Sequence, residues 1–128
     1  MNSVVLKSSE TSAEIEFFSR DKDYFSFSYR SQLIRFDKRV WAYTDAKFWV
    51  ENARFMSENW KGWSGEVLIQ SIERELVLSF TSDSYGHVTV NICVGEYDGP
   101  EPWKVEIELM ATTSMMTAFY NDLAEFFS

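Results

Sequence analysis

The sequence predicts an α+β fold: an antiparallel sheet of about seven strands, with one helix mid-chain and one C-terminal helix packed on it. Three observations carry this. Apolar residues recur at every second position through most of the chain, the period lengthens to three or four in only two stretches, and polar or Gly/Pro clusters separate the alternating runs.

Glu14-Ile15-Glu16-Phe17 and Tyr24-Phe25-Ser26-Phe27-Ser28-Tyr29-Arg30 place apolar groups on one face of a pleated strand. From Gln32 to Thr44 the chain stays extended, through Ile34, Phe36 and Val40-Trp41-Ala42-Tyr43, as one bulged strand or a hairpin. From Asp45 the spacing of Trp49, Ala53, Met56 and Trp60 predicts an amphipathic helix, with Phe48 and Phe55 flanking the same stripe. Thr44 or Asp45 is a suitable N-cap, and Gly62 tolerates the left-handed backbone that commonly ends helices.

Strands resume at Glu66 to Ile72. Leu76, Leu78 and Phe80, then Val88, Val90, Ile92 and Val94, form two runs joined by Asp83-Ser84-Tyr85-Gly86, which predicts a hairpin with its aliphatic faces aligned. Tyr97 to Pro102 holds two prolines and a glycine and reads as a loop. A further strand sets Trp103, Val105, Ile107 and Leu109 against Lys104, Glu106 and Glu108. After the capping types Thr112-Thr113-Ser114, a last helix puts Met115, Met116, Phe119, Leu123, Phe126 and Phe127 on one face. Burying Phe119, Leu123 and Phe126 is worth about 2 kcal/mol each, so this helix is expected on the sheet.

Size and composition fit a single domain over residues 1–128, since a chain of this length hides roughly two-thirds of its unfolded surface. Hydrophobic residues at 45% exclude a disordered chain, and no apolar run approaches the ~20 residues of a membrane helix. The start Met1-Asn2-Ser3-Val4-Val5-Leu6 is too short, and lacks the basic flank, for a signal peptide. The lone Cys93 reads as a small apolar filler in a reducing compartment, so the expected location is the cytoplasm.

Charge is divided along the chain. Residues 1–64 carry ten Lys/Arg against nine Asp/Glu, whereas residues 65–128 carry two against eleven. An acidic half repels phosphate backbones, which argues against nucleic acid, and it attracts a basic protein. The same acids equally solvate a surface.

Catalytic chemistry finds little support. One histidine and one cysteine cannot furnish a zinc cage, and His87 and Cys93 lie six strand residues apart, about 20 Å. Glu106 and Glu108 share a strand face about 7 Å apart, a spacing some hydrolases use but one that any wetted strand face produces. Asp83, Asp98 and Glu101 lack the loop pattern of a calcium site, and no phosphate-cradling glycine loop is present, so neither metal nor cofactor is expected. His87 reads as a residue that orders the turn beside Gly86 or sits at a strand edge. Trp60 is expected in the core, while Trp63 and Tyr85 suit either core or interface. The candidate partner-binding residues are therefore Glu73, Glu75, Asp98, Glu101, Trp63 and Tyr85, and no catalytic residue is nominated.

Trp60-Lys61-Gly62-Trp63-Ser64-Gly65-Glu66, Glu73-Arg74-Glu75-Leu76-Val77-Leu78, Asp83-Ser84-Tyr85-Gly86-His87-Val88, Trp103 and the closing Glu125-Phe126-Phe127 together carry a resemblance. Over residues 41–128 the chain resembles a family of small bacterial proteins of unknown function that is similar to WapI-type immunity proteins, which protect a cell from a contact-delivered toxin. The resemblance implies a bacterial cytoplasmic protein that neutralises a toxin by binding it, and it supplies no site residues. The competing expectations are a small-ligand domain or hydrolase with an aromatic-lined pocket, and an oligomerising module.

Overall fold

The computed structural model describes residues 3–42 and 44–128. Its strands are β1 (Ser3–Lys7), β2 (Glu14–Phe18), β3 (Tyr24–Arg30), β4 (Arg35–Trp41), β5 (Val67–Gln70), β6 (Leu76–Ser82), β7 (His87–Glu96) and β8 (Trp103–Thr112). Helix α1 (Ala46–Glu58) separates β4 from β5, and α2 (Met116–Phe126) follows a short 3-10 turn after β8. The fold is α+β as the alternation predicts, and its strands form two antiparallel four-stranded sheets, each in sequence order: β1-β2-β3-β4 and β5-β6-β7-β8.

The partition has a local cause. The carbonyls of Leu68 and Gln70 on β5 point away from β6, where a fifth strand would pair. They accept hydrogen bonds from Asn52 Nδ2 at 2.6 Å and Trp49 Nε1 at 3.1 Å instead. Helix α1 thus closes that edge, and β4 cannot reach it. The strand the sequence leaves unassigned is β1, whose Val4 and Leu6 are buried.

Residues 31–34 make a turn in which the Ser31 N–H donates to the Ile34 carbonyl. Beyond it β4 pairs with β3 in unbroken register from Arg30↔Arg35 to Tyr24↔Trp41, so this stretch is one regular strand without a bulge. Tyr43, which the sequence places at its end, lies outside the described residues. The predicted 76–94 hairpin forms with its apolar positions opposed, Leu76↔Val94, Leu78↔Ile92 and Phe80↔Val90.

Two expectations about α1 are corrected. Trp49, Ala53 and Met56 are buried, but the helix ends at Glu58, because the Asn59 side chain and backbone N–H both donate to the Phe55 carbonyl. Trp60 therefore falls past the helix and is 63% exposed rather than core, and Phe48 and Phe55 also face outward. Asp45 stands at the N-cap position without a side-chain cap bond; its Oδ2 accepts from the Ile72 N–H instead. In the same way Thr112 and Ser114 bond each other and do not cap α2.

One core joins both sheets and both helices. Phe17 and Phe25 stack with centroids 5.5 Å apart, Phe119 of α2 reaches Phe17 at 6.2 Å and Phe80 at 5.8 Å, and Phe127 sits 5.4 Å from both Phe25 and Trp49. These rings pack against one another within that core.

Candidate functional site

The second sheet separates the six candidate residues. Glu73 and Glu75 lie on the turn between β5 and β6, and Asp98 and Glu101 on the loop after β7, all at one end. Trp63 and Tyr85 lie at the other, beside the β6–β7 turn. His87 to Glu96 spans β7, so the two ends stand about 30 Å apart.

At the first end, Ser71 pins the turn. Its buried Oγ accepts from the Leu76 N–H, its own N–H donates to the Leu76 carbonyl, and Arg74 closes the turn at φ 59°. Glu73 is thereby held at the rim. On the neighbouring hairpin, Tyr97 folds back over Gly95, where an added Cβ would stand 2.7 Å from the Tyr97 hydroxyl and 2.9 Å from the Trp103 carbonyl. Only a glycine leaves room for that ring. Burial raises the Tyr97 pKa, and its hydroxyl sits 3.9 Å from Cys93 Sγ.

Glu73, Glu75, Glu96, Tyr97 and Asp98 together line a notch of about 120 Å3. Beside it, Glu73, Arg74, Val77, Cys93, Tyr97 and Lys104 line a wider, open depression of about 500 Å3. Glu101 lines neither. The notch carboxylates differ in role. Glu75 accepts from Lys38 Nζ at 2.9 Å and from the Trp41 N–H at 3.3 Å, so both its oxygens tie the second sheet to the first. Lys38 also approaches Glu96 at 3.9 Å. Among the described residues, Glu73 and Asp98 form no ion pair, which leaves the rim negative.

The sequence brought out Glu73, Glu75 and Asp98 as acids of the negative half, and missed Glu96, Tyr97 and Lys38. Glu96 and Tyr97 were readable as the approach to the proline loop. Lys38 was not, because its contact with Glu75 spans 37 residues. Cys93, which the sequence reads as a small apolar filler, lines the same depression as Lys104.

At the opposite end Trp63 is half-buried and structural. Its Nε1 donates to the Phe80 carbonyl at 3.1 Å, and its backbone N–H donates to Ser82 Oγ at 2.8 Å. Gly62 lets this close approach happen, at φ 114° with Asp83 O 3.0 Å from where a Cβ would stand. Tyr85 is 85% exposed. Asp83 Oδ1 accepts from the N–H groups of Tyr85 and His87, and Oδ2 meets His87 Nδ1 at 2.7 Å. The His87 amide foremost, then its side chain and the Tyr85 amide, hold the Asp83 carboxyl below its ordinary pKa. His87 orders the turn, as the sequence suggests.

Glu106 and Glu108 are exposed, with Glu106 paired to Lys104 at 3.1 Å, the arrangement of a solvated face. No group of three or more His, Cys, Asp or Glu is placed to hold a metal ion among the described residues, and no helix there is long and apolar enough to cross a membrane. No curated protein and no solved structure matches the chain. Residues 6–128 match a family described only as one of unknown function, and the match takes in most of the first sheet, which the resemblance over residues 41–128 left out.

Proposed function

We propose, for a chain that belongs to the DUF6228 family and inherits no assigned activity from it, that it works without catalysis by binding a basic protein at the acidic end of its second sheet. One observation carries this: two turns remote in sequence bring Glu73, Glu96 and Asp98 around the Tyr97 ring, with Lys38 offsetting only part of their charge. Opposed potentials speed encounter, and an ordered aromatic gives a partner a fixed surface to close on. The chain-wide division of charge supports the same end, because the near-neutral half builds the first sheet and the acidic half the second.

The resemblance to WapI-type immunity proteins supplies the partner to try first, a toxin encoded beside this gene. In this reading the protein acts in the cytoplasm and masks the toxin stoichiometrically. The test is capture of that gene product by the wild type and by a Glu73→Lys/Asp98→Lys/Glu101→Lys variant, at low and high salt. Glu75 is left intact because it braces the sheets. Reversal is expected to weaken binding at least about tenfold at low salt, with less difference at high salt, where exposed charges are screened. A Glu51→Lys/Glu58→Lys control on α1 should bind as wild type. Equal binding by all three proteins would remove the reading.

A further inference from the structure

We propose that the outer edge of β8 is a self-association surface, on which two copies of this chain pair their β8 strands antiparallel about a two-fold axis at Val105.

The free edge follows from the hydrogen-bond parity of the sheet. The Gly95 N–H donates to the Glu75 carbonyl, so odd residues of β7 turn to β6 and even ones to β8. With Val94 opposite Val105, the odd residues of β8 face β7 and the even ones face out. Met110 agrees, since its carbonyl accepts from the Ser9 N–H at 2.9 Å. Lys104, Glu106 and Glu108 therefore present outward N–H and C=O groups, which meet no hydrogen-bond partner among the described residues. The opposite edge of the sheet is closed by Asn52 and Trp49. This one is open.

Charge selects the partner and the register. Centred on Val105, each Lys104 stands opposite Glu106 of the second copy in both crossings, and both residues have the outward parity that a bonded pair needs. A shift one way sets Lys104 against Lys104, and a shift the other way sets Glu106 against Glu106 between two Lys104–Glu108 pairs, so of the three only the register at Val105 has no like-charge pair. The other side chains agree. Trp103, 40% exposed, and the half-buried Val105 and Ile107 share the inward face, and this register puts Trp103 beside Ile107 of the second copy and Val105 beside Val105. The ladder also has natural ends, because Pro102 has no N–H and the Met110 carbonyl is already taken by Ser9. Charges on an edge strand ordinarily keep other strands away, and here the same charges favour the one register that sets no like charges opposite each other.

The test is sedimentation equilibrium of the full chain across a concentration series. The wild type is expected to approach twice the monomer mass of 15.0 kDa. Glu106→Lys and Lys104→Glu, each on the exposed face and so compatible with folding, should both be monomeric. Mixed one to one, they should regain the doubled mass, since opposite charges then meet at both crossings. A wild type that stays monomeric to its solubility limit overturns the proposal, as do single variants that remain dimeric or a mixture that does not associate. Circular dichroism of each variant separates lost pairing from lost folding.

Discussion

Asp45 shows how much one buried atom contributes. It is 7% exposed, its Oδ1 meets no hydrogen-bond donor among the described residues, and its Oδ2 accepts from the Ile72 N–H. Desolvation raises its pKa, and the backbone bonds only partly offset this. A raised folded-state pKa means that the folded chain holds the proton more tightly than the unfolded one. The stability it contributes is complete below the unfolded pKa and is lost as pH rises through the folded one. Asp45→Asn removes that titration, so denaturant unfolding should find the variant more stable than wild type at pH 7 by about 1 kcal/mol, with the gap closing in acid. A wild type that is more stable at pH 7 would contradict this. Gly95→Ala carries an opposite expectation: its Cβ would displace the Tyr97 ring and press on the Trp103 carbonyl, at a cost of about 1–3 kcal/mol seen in thermal unfolding. An unchanged melting temperature would show that Tyr97 does not need that space. Neither residue's role was legible in the sequence. An Asp before a helix reads as a cap, and a Gly within a strand gives no sign of what covers it.

Elements were legible wherever periodicity was long. The 76–94 hairpin and α2 follow directly from alternation and from the 3.6-residue stripe. Their ends were less legible, because ends depend on single polar side chains. Asn59 stops α1 one turn early and thereby puts Trp60 into solvent, although its spacing from Met56 fits the buried stripe. The end of α2 is held from elsewhere in the chain: Arg20 Nη1 donates to the Phe126 carbonyl at 3.2 Å and the Ser128 carbonyl at 3.0 Å, and the guanidinium lies over the Phe127 ring. A cation at a helix C-terminus contributes about 0.3–1 kcal/mol. Arg20→Gln should lower stability by that order, with faster amide exchange confined to the last turn of α2; exchange unaltered there would show that the contact is idle. Asn52→Ala should cost about 1 kcal/mol by leaving the Leu68 carbonyl without its donor.

At the scale of the molecule, alternation determined which face of each strand is apolar but not which strands pair, so about seven strands in one sheet became eight in two. The division also separates charge, because the near-neutral half of the chain builds the first sheet and the acidic half the second. The first sheet contributes Lys38 as a brace, and the second carries the acid to its far end. That is why the six candidate residues did not form one surface. Charge and aromatic character identified them, and the turns and loops that carry them lie at opposite ends of strands about 30 Å long. The acidic end holds Glu73 and Asp98 beside Glu96 and Tyr97, while Trp63 is occupied in holding Ser82 and Phe80. Hydrogen–deuterium exchange of the chain alone and in complex with its captured partner tests the assignment most directly. Protection is predicted at residues 71–75 and 95–102, with 83–87 exchanging as in the free protein. Protection at 83–87, with none at the acidic end, would contradict it.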